Sequence, residues 1–243
     1  MSKADNLPTI GILGGTSHVV ATRYYDLINE EVRRVLGGHE VAETVMVGMN
    51  FGRVVRMLES GDRASLDAYV ADKIDGLERA GADLIIGTSN TMHEIVGPLM
   101  SGRATPFLPI TQPLIDALTQ NGARRPAIFG TKATMAKGRV VREVEEALGI
   151  EVIVPPPEEQ EEIDRVIFRE LVHFRFAPEA KDRYRAIASR MLRDQNIDGL
   201  ILGCTEIYLL IDQSDLPELP IYATAKLHAV AAARWALREA GAL

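Results

Sequence analysis

DLIIGTSNT (residues 83–91) falls on DGLILGCTE (residues 198–206) when the chain is slid along itself by 115 residues, which puts Ser89 opposite Cys204. Both stretches start on an aspartate, pass through an aliphatic run and end at a glycine followed by small polar side chains. The same shift carries IGILGGT, ending at Thr16, onto PAIFGT, ending at Thr131, with Gly15 falling on Gly130. Aliphatic runs that stop at Gly or Thr are common, but two separate ones obeying a single offset point to an internal duplication. Short runs without polar alternation are those expected of parallel strands buried on both faces. The fold class that follows is α/β, built as two pseudosymmetric Rossmann-like domains with parallel sheets.

Outward from these runs, strand-like segments alternate with segments of helical period, the pattern of a parallel sheet covered by helices. Strands are expected at 10–13, 44–48, 84–87, 127–129, 152–154, 200–202 and 221–222, with a short edge strand at 107–109. Helices are expected at 18–35, 65–80, 114–119, 134–148, 159–172, 178–194 and 224–240. The polar, glycine-containing TQNGARR (119–125) marks the connection between the halves. The expected domains are 1–115 plus 223–243, with the last helix folding back onto the first half, and 116–222.

Composition narrows the partners. With 243 residues, 47% hydrophobic and 25% charged, the chain can bury one large core or two smaller ones. A net charge of −7 and a pI near 5.3 argue against nucleic acid, which needs clustered Lys and Arg. No apolar run approaches the roughly 18 residues of a membrane span. One cysteine permits no intrachain disulfide, and the polar MSKADN start does not read as a signal peptide, so the expected location is cytoplasmic.

Ligands of open parallel sheets sit beyond the carboxyl ends of the strands. Four polar motifs occupy such ends: GGTSH (14–18), TSNTMH (88–93), GTKAT (130–134) and GCTE (203–206). Their hydroxyls, amides and helix N-termini suit a small carboxylate. GGTSHVVA lacks the third glycine of a dinucleotide fingerprint, and neither glycine turn supplies the Gly-Lys-Ser/Thr of a phosphate loop. The five histidines show no metal-ligand spacing, so no metal is expected. A lone cysteine after an apolar strand reads as a small buried filler. It also reads as a reactive thiol, because a helix starting at Cys204 would stabilise thiolate. Glu206 reads either as a first-turn carboxylate or as a group orienting a ligand ammonium or a nearby hydroxyl.

GGTSHVVATRYYDLIN (14–29), SNTMH (89–93) and GCTE (203–206), in this order and spacing, resemble the aspartate/glutamate racemase superfamily, with the aspartate racemase branch most similar. The resemblance covers essentially the whole chain. It implies an active site at the domain interface, a homodimer, and catalysis without pyridoxal phosphate, metal or other cofactor. It further implies two acid/base residues, usually cysteines, on opposite faces of a substrate α-carbon. Carried over by motif, these are Cys204 and, where relatives place their first cysteine, Ser89. A serine hydroxyl is a far weaker acid than a thiol and needs a base or water relay.

The remaining motif residues carry over as substrate-binding groups: Gly15, Thr16, Asn50, Asn90, Thr91, Thr131, Thr134, Thr205 and Glu206. Arg53 or Arg56 could reach a distal carboxylate, although an ordinary surface arginine is the plainer reading of each. Val172 stands where some aspartate-preferring relatives carry lysine, with His173 and Arg175 as substitute cations. Ala223 stands where an aspartate often accompanies the residue matching His228. The expected activity is racemisation or epimerisation of a small amino acid. A one-sided lyase or decarboxylase on a small carboxylate, and a carboxylate-binding protein without turnover, are the alternatives.

Overall fold

In the computed structural model, which describes residues 6–243, the aliphatic runs become short strands buried along their length. β1 (Ile10–Gly14), β2 (Thr44–Gly48) and β3 (Leu84–Gly87) make one sheet in the order β2-β1-β3. β4 (Pro126–Phe129), β5 (Gly199–Leu202) and β6 (Ile221–Ala223) make a second in the order β4-β5-β6. All pairings are parallel. The helices are α1 (His18–Leu36), α2 (Phe51–Glu59), α3 (Arg63–Arg79), α4 (His93–Met100), α5 (Thr111–Gln120), α6 (Lys132–Met135), α7 (Arg139–Leu148), α8 (Pro157–Arg169), α9 (Pro178–Gln195) and α10 (Thr224–Glu239). The chain thus has the two-sheet α/β architecture expected of it. One compact unit takes the described residues up to Ile110 together with His228–Leu243, and the other takes Thr111–Leu227.

The duplication is visible in the order of the strands. Phe107 bridges the outer side of β3 at Ile85, and Ile153 bridges the outer side of β4 at Ala127, both in parallel. The two sheets therefore read β2-β1-β3-Phe107 and Ile153-β4-β5-β6, position for position. Register breaks the match by one residue. Leu13 pairs with Gly87, whereas Phe129, 116 residues after Leu13, pairs with Leu202, 115 after Gly87. The double glycine that ends β1 supplies the extra position.

Two expected strands, 152–154 and 107–109, shrink to those single bridges. Pro106, Pro109, Pro155 and Pro156 flank them, and proline cannot donate to a ladder. The expected helix 134–148 is split into α6 and α7. Lys137 is left-handed (φ 60°), and a Cβ at Gly138 would lie 2.8 Å from the Ala133 carbonyl oxygen. α2 and α4 were not foreseen, because α2 is short and α4 carries Gly97 and Pro98 inside it.

In the first unit, Val20, Tyr24, Ile28 and Val32 of α1 recur every four residues and are fully buried. Burial of such a side chain contributes about 1.5–3 kcal/mol. On the other side, Leu66, Val70, Ile74 and Leu77 of α3 pack with Ile85 and Val96 in one core cluster. The buried alanines 229, 232, 233 and 236 give α10 a thin face. Glu31 of α1 accepts from Arg234 of α10 at 2.6 Å and from Arg34 at 2.7 Å, and these guanidiniums, Arg34 first, hold its carboxyl down to about 2. In the second unit, Tyr184 of α9 meets Phe129 edge to face at 5.6 Å and donates to the Ile163 carbonyl at 2.9 Å.

Candidate active site

Each sheet brings its polar motifs to the carboxyl ends of its strands. In the first unit, the turn after β1 is fixed by Gly15, whose φ of +101° favours glycine. A Cβ there would stand 2.2 Å from both the nitrogen and the oxygen of Met49, so a side chain is excluded by backbone. The Met49 N–H donates to the Gly14 carbonyl at 2.9 Å, which ties this turn to the end of β2. Thr16 follows, partly exposed, and Ser17 caps α1 by accepting from the Val20 N–H at 3.4 Å.

At the end of β2, Asn50 caps α2, its side-chain oxygen accepting from the Arg53 N–H at 3.0 Å. The Asn50 amide is therefore committed to the helix. Its backbone N–H donates to the Tyr69 hydroxyl at 2.8 Å, and the Arg53 guanidinium lies over the Tyr69 ring at 4.3 Å. Arg53 and Arg56 are both exposed on α2. Tyr69 carried no signal in the sequence, since it reads as one more face residue of α3.

At the end of β3, the Thr88 N–H donates to the Leu13 carbonyl at 3.1 Å, and Ser89 follows, partly exposed. The Ser89 hydroxyl accepts a long bond, 3.5 Å, from the Met92 N–H. Among the described residues no basic side chain is hydrogen-bonded to it. The Ser89 carbonyl accepts from His93 Nδ1–H at 2.7 Å, while His93 Nε2 accepts from the Ile110 N–H at 3.1 Å. These partners fix one neutral tautomer, because a carbonyl can only accept and an amide N–H only donate. Asn90 is buried and Thr91 exposed.

Among the described residues no carboxylate is hydrogen-bonded to His228, in keeping with Ala223. Its Nε2–H donates to the Leu108 carbonyl at 2.9 Å, and its Nδ1 accepts from the Tyr24 hydroxyl at 3.0 Å. Burial lowers its pKa to about 4.

The second unit is built differently. Gly130 leaves room for the Thr134 side chain, which a Cβ would meet at 2.9 Å. Thr131 caps α6, accepting from the Thr134 N–H at 3.2 Å, and the two hydroxyls lie 3.0 Å apart. Gly203 packs closely as well, for a Cβ would meet the Ile128 side chain at 2.8 Å and Thr134 at 3.2 Å. This packing brings the GTKAT and GCTE motifs side by side.

Cys204, at the end of the central strand β5, donates its thiol proton to Glu206 Oε2 at 3.1 Å. The Thr205 hydroxyl donates to the same oxygen, also at 3.1 Å. Glu206 is 6% exposed. Burial first, and the Glu206 charge second, push the Cys204 thiol well above its ordinary range. That corrects the expectation of a thiolate stabilised by a helix start. Only a three-residue 3₁₀ turn, Ile207–Leu209, follows Cys204, too short to build a helix dipole. The role of Glu206 as the thiol's acceptor was hidden in the sequence behind its ordinary place in a first turn. Among the described residues, no three His, Cys, Asp or Glu side chains gather as metal ligands, and no helix is long and apolar enough to cross a membrane. Val172 is partly buried, while His173 and Arg175 are exposed.

Comparison with known proteins adds the following. The Asp/Glu/hydantoin racemase family matches residues 13–232. A protein from Yersinia pestis proposed as an Asp/Glu racemase is 31% identical, with a TM-score of 0.86 over 95% of this chain and 99% of that one. An aspartate racemase homologue from Pyrococcus horikoshii OT3 is 29% identical, with a TM-score of 0.82 over 96% and 99%. The fold, at 18% identity and a TM-score of 0.65, is also that of glutamate racemase from Francisella tularensis crystallised with D-glutamate, over 98% of this chain and 84% of that one.

Proposed function

From the premise that the chain belongs to the Asp/Glu/hydantoin racemase family, we propose that it is an amino-acid racemase acting on a small, acidic or broader amino acid through Cys204 and Ser89. The observation that carries the reading is the Cys204 thiol held against the buried Glu206 carboxylate at 3.1 Å. A filler cysteine has no need of such a partner. A thiol whose pKa is raised rests protonated, ready to donate to a carbanion. To abstract a proton it must first lose its own, and Glu206 Oε2 is positioned to take it. The thiolate then removes the α-proton, the substrate carboxylate delocalises the electron pair, and a proton arrives on the opposite face from the Ser89 side. Sulfur now carries the α-proton, so the site is reset when Glu206 releases its proton to water and the Ser89 side regains one from water.

The Thr131 and Thr134 hydroxyls beside Gly203, the Gly15 turn and Asn90 support binding of the substrate's ionised ends. Arg53, spread over Tyr69, is the group we assign to a distal carboxylate, which favours aspartate or glutamate among substrates. The test is turnover of L- and D-aspartate, glutamate and neutral amino acids in deuterated water. Interconversion with α-deuteration is expected, and its absence for all of them overturns the reading.

A second reading has its own support. Ser89 lacks a hydrogen-bonded base among the described residues, while Cys204 rests as an acid. That pair suits an elimination or decarboxylation whose carbanion is protonated from one side only. A released fragment and a changed product mass, found with malonates or with β-substituted carboxylates, would establish this alternative over racemisation.

A further inference from the structure

Ser89 is fixed through its backbone. Its carbonyl is bound by His93 Nδ1–H at 2.7 Å, and the other face of that imidazole is bound by the Ile110 N–H at 3.1 Å. Two residues before Ile110, the Leu108 carbonyl accepts from His228 Nε2–H, and Tyr24 of α1 donates to the far nitrogen of His228. The two imidazoles meet edge to face with centroids 5.6 Å apart, and the Phe107 ring lies 5.2 Å from His93. Gly87 lies against this ring: a Cβ there would stand in ordinary contact, 3.4 Å from His93 Cε1. The loop after β3, the segment 107–110, α1 and α10 therefore converge on two buried imidazoles, 1% and 0% exposed.

We propose that His93 is the positioning residue for Ser89, its imidazole joining the Ser89 carbonyl to the 108–110 segment and so setting where the serine hydroxyl stands. His93 touches no substrate in this role. It acts through Ser89, and the inference rests on the reading of Ser89 as the group serving the face opposite Cys204. The physical basis is that, among the described residues, the Ser89 hydroxyl has only one long bond, so its place depends on its main chain. Displacement of a reacting group by about 1 Å can cost as much as a hundredfold in rate. Cys204, fixed by separate contacts in the other unit, is independent of this tie.

The two imidazole nitrogens can be tested apart. The amide nitrogen of Asn imitates Nδ1, so His93→Asn keeps the bond to Ser89 and drops the one to Ile110. The amide of Gln reaches where Nε2 stood, so His93→Gln keeps the acceptor for Ile110 and frees Ser89. Exchange of the α-proton for deuterium is followed separately from L-aspartate and from D-aspartate. His93→Gln is expected to slow exchange of one enantiomer at least about tenfold more than the other, the loss expected of one buried hydrogen bond. His93→Asn is expected to keep the wild-type ratio. An equal fall for both enantiomers, or an unchanged ratio in His93→Gln, overturns the proposal.

Amide hydrogen exchange over residues 88–92 reads the positioning without turnover. It is expected to quicken about tenfold in His93→Gln and not in His93→Asn. Unchanged exchange in His93→Gln overturns the proposal by itself. Quickened exchange in a wild-type background that labels neither enantiomer would instead mean that the racemase reading has failed and that the tie to Ser89 stands.

Discussion

The ends of β3 and β5 descend from one pattern and have been given opposite chemistry. After β3, Ser89 is followed by Asn90, Thr91 and His93; after β5, Cys204 is followed by Thr205, Glu206 and Tyr208, each 115 residues on. In the first, an imidazole binds the Ser89 carbonyl, and among the described residues the hydroxyl has a single long bond. In the second, a carboxylate binds the Cys204 sulfur itself. The first end continues into the eight-residue α4 and the second into a three-residue turn. One half fixes a weak acid by its backbone, and the other holds a stronger acid beside a proton acceptor. The groups stand at equivalent places after their strands, and each half holds them by its own means.

The largest expected break of this comparison is Cys204→Ala. It removes the only thiol and should lower turnover by about 10³-fold or more, measured as initial rates of interconversion or product release. Activity within tenfold of wild type would return Cys204 to the status of core filler.

Next comes acid sensitivity of the Ser89 half. Folded His228 stays neutral down to about pH 4, whereas an unfolded histidine takes a proton near 6.5. Its stabilising contribution is therefore complete above pH 6.5 and is lost as the pH falls toward 4, amounting to about 3 kcal/mol. Denaturant melts across that window should show the slope, and His228→Gln should flatten it. The Cys204 half behaves in the opposite sense. Its raised thiol pKa leaves stability untouched at low pH and withdraws it as the pH rises past the ordinary thiol range, where the unfolded chain ionises first.

Ser89→Ala should slow α-proton exchange from one enantiomer by roughly ten- to a hundredfold and leave the other nearly unchanged, which sharpens the assignment of faces. Equal losses would show that Ser89 only binds. The smallest effect is expected of Glu206→Gln. It removes the charge that raises the thiol, so the pH midpoint for alkylation of Cys204 should move down, while turnover falls about tenfold for want of a proton acceptor. An unmoved alkylation profile would leave burial as the whole cause of the shift.

Much of this was legible in the residues. Fully buried parallel strands carry uninterrupted aliphatic runs, and the 115-residue offset paired their ends, so the two sheets and the equivalent places of Ser89 and Cys204 after β3 and β5 could be read directly. Prolines at 106, 109, 155 and 156 were equally visible, but their effect on strands 107–109 and 152–154 depends on which N–H groups the ladder needs. The break at Lys137 was illegible because a positive φ is uncommon in a non-glycine residue and the lysine itself carries no turn signal.

The sequence by itself determined the element types, the duplication and the identity of the groups at the strand ends, because these follow from local pattern and covalent spacing. Only the tertiary structure decided their state. Whether Cys204 is an acid or a thiolate depends on burial and on Glu206 reaching its sulfur. The Ser89 carbonyl is tied to an imidazole whose second partner, Ile110, comes from a different segment. Electrostatic and hydrogen-bonding energies are set by distance and desolvation, and neither exists until the chain has folded.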